Sequence, residues 1–277
     1  MGQDKIERQR VSCVYVYTNN EKLSQSVGDS LRTLLADNGI RVPDRFDETV
    51  ELLVCVGGDG TLLRGLHAFG FPDIPVAGIN TGHLGFFQEL QHDELPRLLE
   101  MCNGGSYSIQ RHRLVRVSLS RRDCEPAMHK GLNDIVIKGS VSRITHLNLC
   151  IGGSFIEKFS GDGLVIASSA GSTAYNYSLG GSIVDPRLNL LQVTPIAPMN
   201  TTAFRCFTSS IVLPPDLSVR IVPEFEHDRD VLIIIDGVEY TYKDVTEITV
   251  DLAEQEVQLV RFQNYDFWNK VKSKFLQ

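Results

Sequence analysis

The hydrophobic pattern of this chain changes its period at Asn103-Gly104-Gly105-Ser106, and that change limits the folds open to it. Before it, apolar strand segments alternate with segments whose apolar residues recur at helical spacing, which is typical of a parallel sheet covered by helices. After it, apolar and polar residues alternate along short segments separated by Gly and Pro, which indicates β-structure. We therefore predict an α/β, Rossmann-like domain followed by a β-rich, sandwich-like domain.

The first predicted domain spans residues 1–104 and the second spans 105–263. Helical spacing returns at Phe267, Val271 and Phe275, with Asp266 placed to cap it, so we expect residues 264–277 to complete the first domain. The first domain is predicted to contain strands over 11–17, 51–56 and 75–79 and helices over 23–38, 61–69 and 95–102.

Charge and composition limit the classes of partner that this protein is expected to bind. The net charge of the 277-residue chain is −7, and its basic residues are scattered along the sequence. The sequence therefore predicts no continuous basic surface that could bind nucleic acid. The longest apolar runs, such as Val231–Ile235, fall far short of the roughly 20 residues of a membrane span. The six cysteines form no C-x-x-C pair and are typical of a reduced protein. We expect a cytoplasmic protein with no nucleic-acid or membrane partner.

The segment LLVCVGGDGTLL, residues 52–63, places a Gly-rich turn between a buried strand and a helix. Such a turn exposes N–H groups beside a helix N-terminus, where a phosphate binds readily. Ordinary turn chemistry would also explain Gly-Asp-Gly, but the strand and helix on either side favour the functional interpretation. A carboxylate beside phosphate repels it unless it binds a metal or accepts a proton from a hydroxyl. The turn thus predicts phosphate chemistry with Asp59 as the reacting residue.

Three further segments carry candidate ligand-binding groups. NTGHLGF, residues 80–86, follows the third strand and should face the same crevice as Asp59; its Phe86 could stack on a flat ring or belong to the core. Asn133-Asp134 could hold both hydroxyls of a ribose or form an Asx turn. Residues 160–181 combine small and polar residues, which favours a nucleotide-binding loop.

Taken together, GGDGTLL, NTGHLGF, NDIVI, GDGL, GSTAY and VTPIAP occur in the order found in NAD kinases, and the chain resembles that family over nearly its whole length. GGDGT alone also occurs in lipid kinases of the diacylglycerol and sphingosine type and resembles a turn of phosphofructokinases, but the later motifs separate this chain from both. The resemblance implies phosphorylation of the 2′-hydroxyl of the adenosine ribose of NAD, from ATP or polyphosphate, giving NADP. It also implies a homo-oligomer, a dimer or tetramer built largely through the β-rich domains.

The family pattern assigns roles residue by residue. Asp59 matches the catalytic base, Gly60 its neighbour at the substrate, and Arg64 a basic residue near the phosphates. We expect the backbone of Gly57, Gly58 and Thr61 to stabilise the phosphates, together with a Mg²⁺ that arrives with the donor, because the sequence shows no clustered carboxylates for a dedicated metal site. The positions that match NAD-binding residues are Asn133, Asp134, Asp162, Thr173, Ala174, Tyr175, Asn176, Ser178 and Ala197.

Two departures from the family pattern concern substrate affinity. Ser168-Ser169-Ala170 stands where the family usually has Thr-Pro-Thr, and Asp134 stands where many members have Glu. Without the proline, the loop is predicted to be looser before NAD binds, so that Ser169→Pro would tighten NAD binding.

Two other functions fit the sequence less well. A non-catalytic NAD-binding regulator would need no in-line base, so the intact GGDGT turn with Asp59 argues against it. A Rossmann dehydrogenase would need G-x-G-x-x-G after the first strand, where Thr18-Asn19-Asn20 stands instead.

Overall fold

The structure is a computed structural model that describes residues 6–7, 9–139, 144–200, 205–224 and 230–276. Within those ranges, no helix is long and apolar enough to cross a membrane. The strands are β1 (Ile6–Glu7), β2 (Val14–Thr18), β3 (Leu52–Val56), β4 (Pro75–Asn80), β5 (Leu90–Gln91), β6 (Tyr107–Arg121), β7 (Cys124–Gly131), β8 (Asp134–Gly139), β9 (Thr145–Ile151), β10 (Ser154–Gly161), β11 (Gly163–Ser168), β12 (Leu191–Ile196), β13 (Ile211–Leu213), β14 (Val219–Glu224), β15 (Val231–Ile235), β16 (Val238–Tyr242) and β17 (Val245–Arg261). The helices are α1 (Lys22–Asp37), α2 (Asp59–Ala68), α3 (Leu95–Cys102), α4 (Tyr175–Ser178) and α5 (Phe267–Phe275), with a 3₁₀ turn at Ala170–Thr173.

The first compact unit comprises residues 1–111 and 257–277 and contains a parallel sheet. Strands β2, β3 and β4 pair in parallel, and β5 and the end of β17 both pair in parallel with β4. All five residues of β3 are buried, as expected for a parallel strand covered on both faces. The α/β prediction for this part of the chain is confirmed.

Several boundaries in this unit differ from the sequence prediction, and the largest differences are at the starts of β2 and α2. The first long strand begins at Val14 rather than at residue 11. Helix α2 begins two residues earlier than predicted, because Gly58 is already extended at φ −88° and ψ −175° and serves as the N-cap. Asp59 therefore lies in the first turn of a helix and not inside the preceding turn. Helix α1 ends at Asp37, one residue before its predicted end, with Asn38 as the C-cap and Gly39 at φ 75°.

The second compact unit, residues 112–256, is built mainly from two sheets. One has the strand order β10-β9-β14-β17-β6-β7 and the other the order β13-β12-β11-β8-β15-β16. Alternate residues of both sheets, such as Leu149 and Val250 in one and Ile137 and Ile233 in the other, share one buried core. The prediction of a β-rich domain is confirmed.

The division between the units falls inside two long strands, after Arg111 in β6 and before Val257 in β17. The boundaries predicted at residues 104 and 263 lie in the turns outside those strands and stay predictions. A continuous strand offers no Gly, Pro or change of period at which the sequence could mark such a division.

Candidate active site

The GGDGT segment joins β3 to α2 through glycines that the geometry requires. Gly57 has φ 151°, and a Cβ there would lie 2.3 Å from the hydroxyl oxygen of Thr61. The N–H of Gly57 donates to the carbonyl of Ile79 at 2.9 Å, and the N–H of Thr61 donates to the carbonyl of Gly58, also at 2.9 Å. Both N–H groups are therefore bonded within the protein, and the expectation that the backbone of Gly57 and Thr61 holds phosphate stays a prediction. The first-turn N–H groups of Gly58, Asp59 and Gly60 are the ones placed to receive an anion.

Main-chain donors hold the Asp59 carboxylate. The N–H of Phe86 donates to Oδ2 and the N–H of Phe87 donates to Oδ1, each at 3.0 Å. The side chain is 25% exposed. Each carboxylate oxygen therefore keeps a lone pair for a ligand, and the two N–H groups fix the plane in which that lone pair points.

A buried ionic cluster fixes the other side of the same loop. Arg261 donates to the carbonyl of Phe87 at 3.1 Å, and Lys270 donates to the carbonyls of Phe86 and Gln88. Glu89 pairs with both cations, at 3.0 Å from Arg261 and 2.8 Å from Lys270. Burial lowers the pKa of Lys270, against the opposing pull of Glu89. The peptide that joins Phe86 to Phe87 thus points its N–H group at Asp59 and its carbonyl at Arg261 and Lys270.

Glu89, Arg261 and Lys270 belong to none of the motifs from which site residues were predicted. The available signal was an arginine inside the apolar run LVRF, residues 259–262, since an arginine in a buried strand needs a carboxylate or carbonyl partner. The loop that this arginine serves could not be read from the sequence, because Arg261 and Phe87 are far apart along the chain.

The remaining predicted residues of this unit lie around the same loop. Phe86 is buried and its ring centroid lies 5.9 Å from that of Phe267 and 5.7 Å from that of Phe275, so its ring belongs to the core of the unit. Arg64 is exposed and its guanidinium donates to the Thr61 hydroxyl at 3.2 Å. His83 is exposed.

Gly85 lets the loop approach the carboxylate. A Cβ on Gly85 would lie 2.4 Å from Oδ1 of Asp59 and 2.1 Å from the side-chain oxygen of Gln88. Gln88 itself is buried, and its amide has no hydrogen-bond partner among the described residues. The second glycine of NTGHLGF is therefore required by close packing around Asp59.

In the second unit, Asp236 organises the start of β8. Its carboxylate accepts hydrogen bonds from the N–H groups of Leu132 and Asn133, each at 2.7 Å. Asp236 and Gly237 have φ 48° and 85°, as in the two-residue hairpin turn that joins β15 to β16. The sequence analysis missed Asp236, although Asp-Gly between alternating apolar residues is a strong hairpin signal.

Asn133 and Asp134 are both buried beside this hairpin. The side-chain oxygen of Asn133 has no hydrogen-bond partner in the described part of the chain, so it forms no Asx turn. Burial, followed by repulsion from Asp236, raises the pKa of Asp134 to about 7. Near neutral pH, Asp134 can therefore either donate or accept a hydrogen bond.

The loop after β11 packs directly on Asn133. A Cβ on Gly171 would lie 2.0 Å from the Asn133 carbonyl oxygen. Asn176 is buried and accepts a hydrogen bond from the Thr194 hydroxyl at 2.6 Å, while its side-chain nitrogen has no partner among the described residues. Thr173 and Ala174 are half-buried, and Tyr175 and Ser178 are exposed.

This loop is held by serine hydroxyls. The Ser168 hydroxyl donates to the Leu132 carbonyl at 2.5 Å, and the Ser169 hydroxyl donates to the Leu188 carbonyl. The Ser172 hydroxyl accepts from the N–H of Val184 at 3.1 Å. These side-chain hydrogen bonds hold the backbone of the loop in this structure, and the looser loop expected from the missing proline stays a prediction.

Asp162 and Ala197 lie away from Asn133 and Asp134. Strand β11 pairs Ala167 with Asp134 at one end and Gly163 with Ile196 at the other. These ends are separated by most of the strand, about 13 Å. Asp162 is exposed, and Ala197 adopts φ 44°. The structure therefore groups Asn133, Asp134 and the loop of residues 170–178, and it places Asp162 and Ala197 at the opposite end of β11.

No three His, Cys, Asp or Glu side chains come together as a metal site in the ranges that the structure describes. Asp59 is the acidic residue in the first turn of α2. A metal at this position would draw most of its ligands from another molecule, such as the oxygens of a phosphate chain.

Comparison with known proteins gives consistent matches along the chain. Residues 1–107 match the family described as the ATP-NAD kinase N-terminal domain, and residues 132–262 match the ATP-NAD kinase C-terminal domain. The NAD kinase of Finegoldia magna is 33% identical over 266 residues, which cover 95% of this chain and 97% of that protein. The NAD kinase of Lactobacillus johnsonii is 31% identical over 269 residues, which cover 96% and 97% respectively.

Two crystal structures share the fold. Yeast NADH kinase complexed with NADH superposes with a TM-score of 0.83 at 23% identity, covering 97% of this chain and 88% of the other. An NAD kinase from Archaeoglobus fulgidus in complex with ATP superposes with a TM-score of 0.72 at 24% identity, covering 94% and 99%. At these identities the likeness concerns the fold.

Proposed function

This chain belongs to the NAD kinase family, and from that premise we propose that it transfers the terminal phosphoryl group of ATP, or of polyphosphate, to the 2′-hydroxyl of the adenosine ribose of NAD, giving NADP. The observation that supports this most directly is the setting of Asp59. Its carboxylate lies in the first turn of α2, and two backbone N–H groups fix its orientation.

The reaction does not require Asp59 to be a strong base. A ribose hydroxyl is a weak nucleophile, and phosphoryl transfer depends mainly on holding the attacking oxygen in line and neutralising the moving charge. Asp59 accepts a hydrogen bond from the 2′-hydroxyl, orients its oxygen and takes the proton as the new O–P bond forms. The N–H groups of Gly58, Asp59 and Gly60 receive phosphate oxygens of the donor, and Arg64 lies one turn further along the helix.

NAD recognition is proposed for residues of the second unit. The unpartnered side-chain oxygen of Asn133 accepts from one ribose hydroxyl, and Asp134 bonds the other. Tyr175 supplies an exposed aromatic face. The remaining proposed contacts are Asp162, Thr173, Ala174, Asn176, Ser178 and Ala197.

A divalent metal is expected in phosphoryl transfer generally, and we propose Mg²⁺ bound to the phosphates of the donor. When bound, it neutralises phosphate charge. The single carboxylate near the phosphate position fits a metal that is held largely by the donor.

We further propose a cytoplasmic homo-oligomer, a dimer or tetramer formed through the β-rich unit. All six cysteines are free thiols, and burial raises the pKa of Cys55 and Cys102 to about 12, so these two stay protonated and unreactive. The edge strand β10 exposes Phe155 and Ile156, a surface that a second copy could cover.

The test is a donor and acceptor panel with purified protein. NAD or NADH is mixed with Mg²⁺ and ATP, another nucleoside triphosphate or polyphosphate, and the product is detected with an NADP-specific dehydrogenase. We expect NADP from NAD with at least one of these donors. Tight NAD binding in calorimetry with no product from any donor would instead identify a non-catalytic NAD-binding regulator.

A further inference from the structure

Lys274, near the end of α5, lies beside the reacting carboxylate. Its ammonium nitrogen is 3.6 Å from Oδ2 of Asp59 and 4.8 Å from the centroid of the Phe86 ring. The side chain is 35% exposed. No motif in the sequence pointed to this residue.

The position of Lys274 is fixed by the way α5 is anchored. Asp266 caps the helix by accepting from the N–H of Asn269 at 3.0 Å, as the sequence predicts. Lys270 pairs with Glu89 inside the unit, and Val271 is buried. These contacts leave Lys274, one turn after Lys270, over the Phe86 ring and against Asp59.

This position addresses an electrostatic problem at the turn. Asp59 carries a negative charge in the same helical turn whose N–H groups are placed to receive phosphate. An anionic donor approaching that turn is repelled by the carboxylate. A cation in contact with Oδ2 offsets this repulsion and lies within reach of the same phosphate oxygens.

We propose that Lys274 is a catalytic residue that contacts the transferring phosphoryl group, an inference that rests on the proposed NAD kinase activity. In the free protein its ammonium pairs with Asp59. With the donor bound, it also contacts a terminal phosphate oxygen and stabilises the charge on that group while the 2′-oxygen bonds to phosphorus and the bond to the departing diphosphate breaks. The proton of the hydroxyl passes to Asp59, and Lys274 keeps its own proton throughout.

The other nearby cations are less suited to this role. Lys270 is largely buried and already bonded to Glu89 and to loop carbonyls. Arg64 is exposed, and its guanidinium is bonded to the hydroxyl of the buried Thr61. Lys272 is exposed and lies about 200° around α5 from Lys274, on the opposite face.

The experiment compares Lys274→Met and Lys274→Arg with the matched control Lys272→Met. Steady-state kinetics give kcat and the KM values for Mg·ATP and NAD, calorimetry gives the affinity for Mg·ATP without NAD, and thermal melts establish folding. For Lys274→Met we expect kcat/KM for Mg·ATP to fall about 10- to 100-fold and its calorimetric affinity to weaken, with the KM for NAD within about twofold of wild type. Lys274→Arg should recover most of the loss, and Lys272→Met should match wild type.

Two results would overturn the inference. One is a folded Lys274→Met variant whose kcat/KM and affinity for Mg·ATP stay within twofold of wild type. The other is an equal loss in Lys272→Met, which would indicate a general surface-charge effect. If wild-type protein forms no NADP with any donor, the proposed function fails by itself, and the calorimetric comparison with Mg·ATP and tripolyphosphate still tests the phosphate contact.

Discussion

At the scale of single residues, Asp59 is oriented by two N–H groups, and substitution should separate its chemistry from binding. Asp59→Asn keeps an oxygen that can accept from the ribose hydroxyl, but the amide cannot take the proton. We expect the rate of NADP formation to fall by about 10² to 10⁴, which is typical of removing a positioned acid–base group, with NAD affinity largely unchanged. Stopped assays for NADP and calorimetry with NAD measure the two quantities. Turnover within a few-fold of wild type would remove Asp59 from the mechanism.

Asp134 should make stability depend on pH. Its native pKa of about 7 lies above the ordinary value of 3.8, so the native state binds this proton more tightly than the unfolded state does. The free energy of unfolding therefore falls as pH rises from about 4 to about 7, at no more than about 1.4 kcal/mol per pH unit, and this effect levels off above the native pKa.

Asp134→Asn removes the titration, so it should raise Tm relative to wild type by more at pH 8 than at pH 5, where only part of the loss has developed. Thermal melts of both proteins at the two pH values test this. Asp162→Asn, at an exposed carboxylate, is the matched control and should shift Tm equally at both. A Tm difference for Asp134→Asn that does not vary with pH would show that burial of Asp134 does not control its ionisation.

The sequence identified Asp59, Asn133 and Asp134 because strand patterns and glycines surround them locally. It could not identify the groups that hold them. Glu89, Arg261 and Asp236 act across large separations along the chain. Arg261 and Asp236 also bond to backbone atoms, which carry no signature in the sequence.

At the scale of elements, a proline at Ser169 in the loop after β11 would change both the stability of the protein and its affinity for NAD. Ser169 has φ −60°, which suits proline, and Ser168 before it ends a strand. However, Ser169→Pro removes the hydroxyl bonded to the Leu188 carbonyl. Losing this part-buried hydrogen bond costs about 0.5 to 1.5 kcal/mol, which equals or exceeds the 0.4 to 1 kcal/mol, roughly, that a compatible proline contributes.

We therefore expect Ser169→Pro to lower Tm and to leave NAD affinity unchanged or several-fold weaker. Ser169→Ala is the control, since it loses the hydroxyl without adding the ring. Calorimetry and melts on the three proteins decide the matter. Tighter NAD binding by Ser169→Pro than by wild type would revive the expectation of a loose loop.

Element prediction succeeded where capping and periodicity agree. Helix α5 spans Phe267–Phe275 with Asp266 as its cap, as predicted, and α3 matches its predicted range. The sequence predicts a start for helix α2 that is two residues too late. Gly58 is a weak N-cap signal, and Gly57-Gly58 is typical of a turn.

At the scale of the whole molecule, the exposed apolar residues of β10 bear on assembly. Phe155 is 62% exposed on this edge strand. If β10 lies at a subunit interface, Phe155→Glu buries an unpaired charge there and should lower the oligomer mass measured by light scattering. Leu23→Glu, at an exposed site on α1, is the control and should leave the mass unchanged. A monomeric wild-type protein, or an unchanged mass for Phe155→Glu, would contradict the proposal.

The way in which Asp59 is held has a consequence for how such a site tolerates genetic change. Its two donors belong to the peptide backbone at Phe86 and Phe87, so every amino acid with an N–H supplies them equally well. A mutational scan that replaces one side chain at a time would leave both bonds in place and would report these positions only through packing. Of the twenty encoded residues, only proline deletes such a donor. The reacting carboxylate is thus oriented by the backbone conformation at Phe86 and Phe87. The identity of these two residues, and their tolerance of other side chains, would not reveal that role.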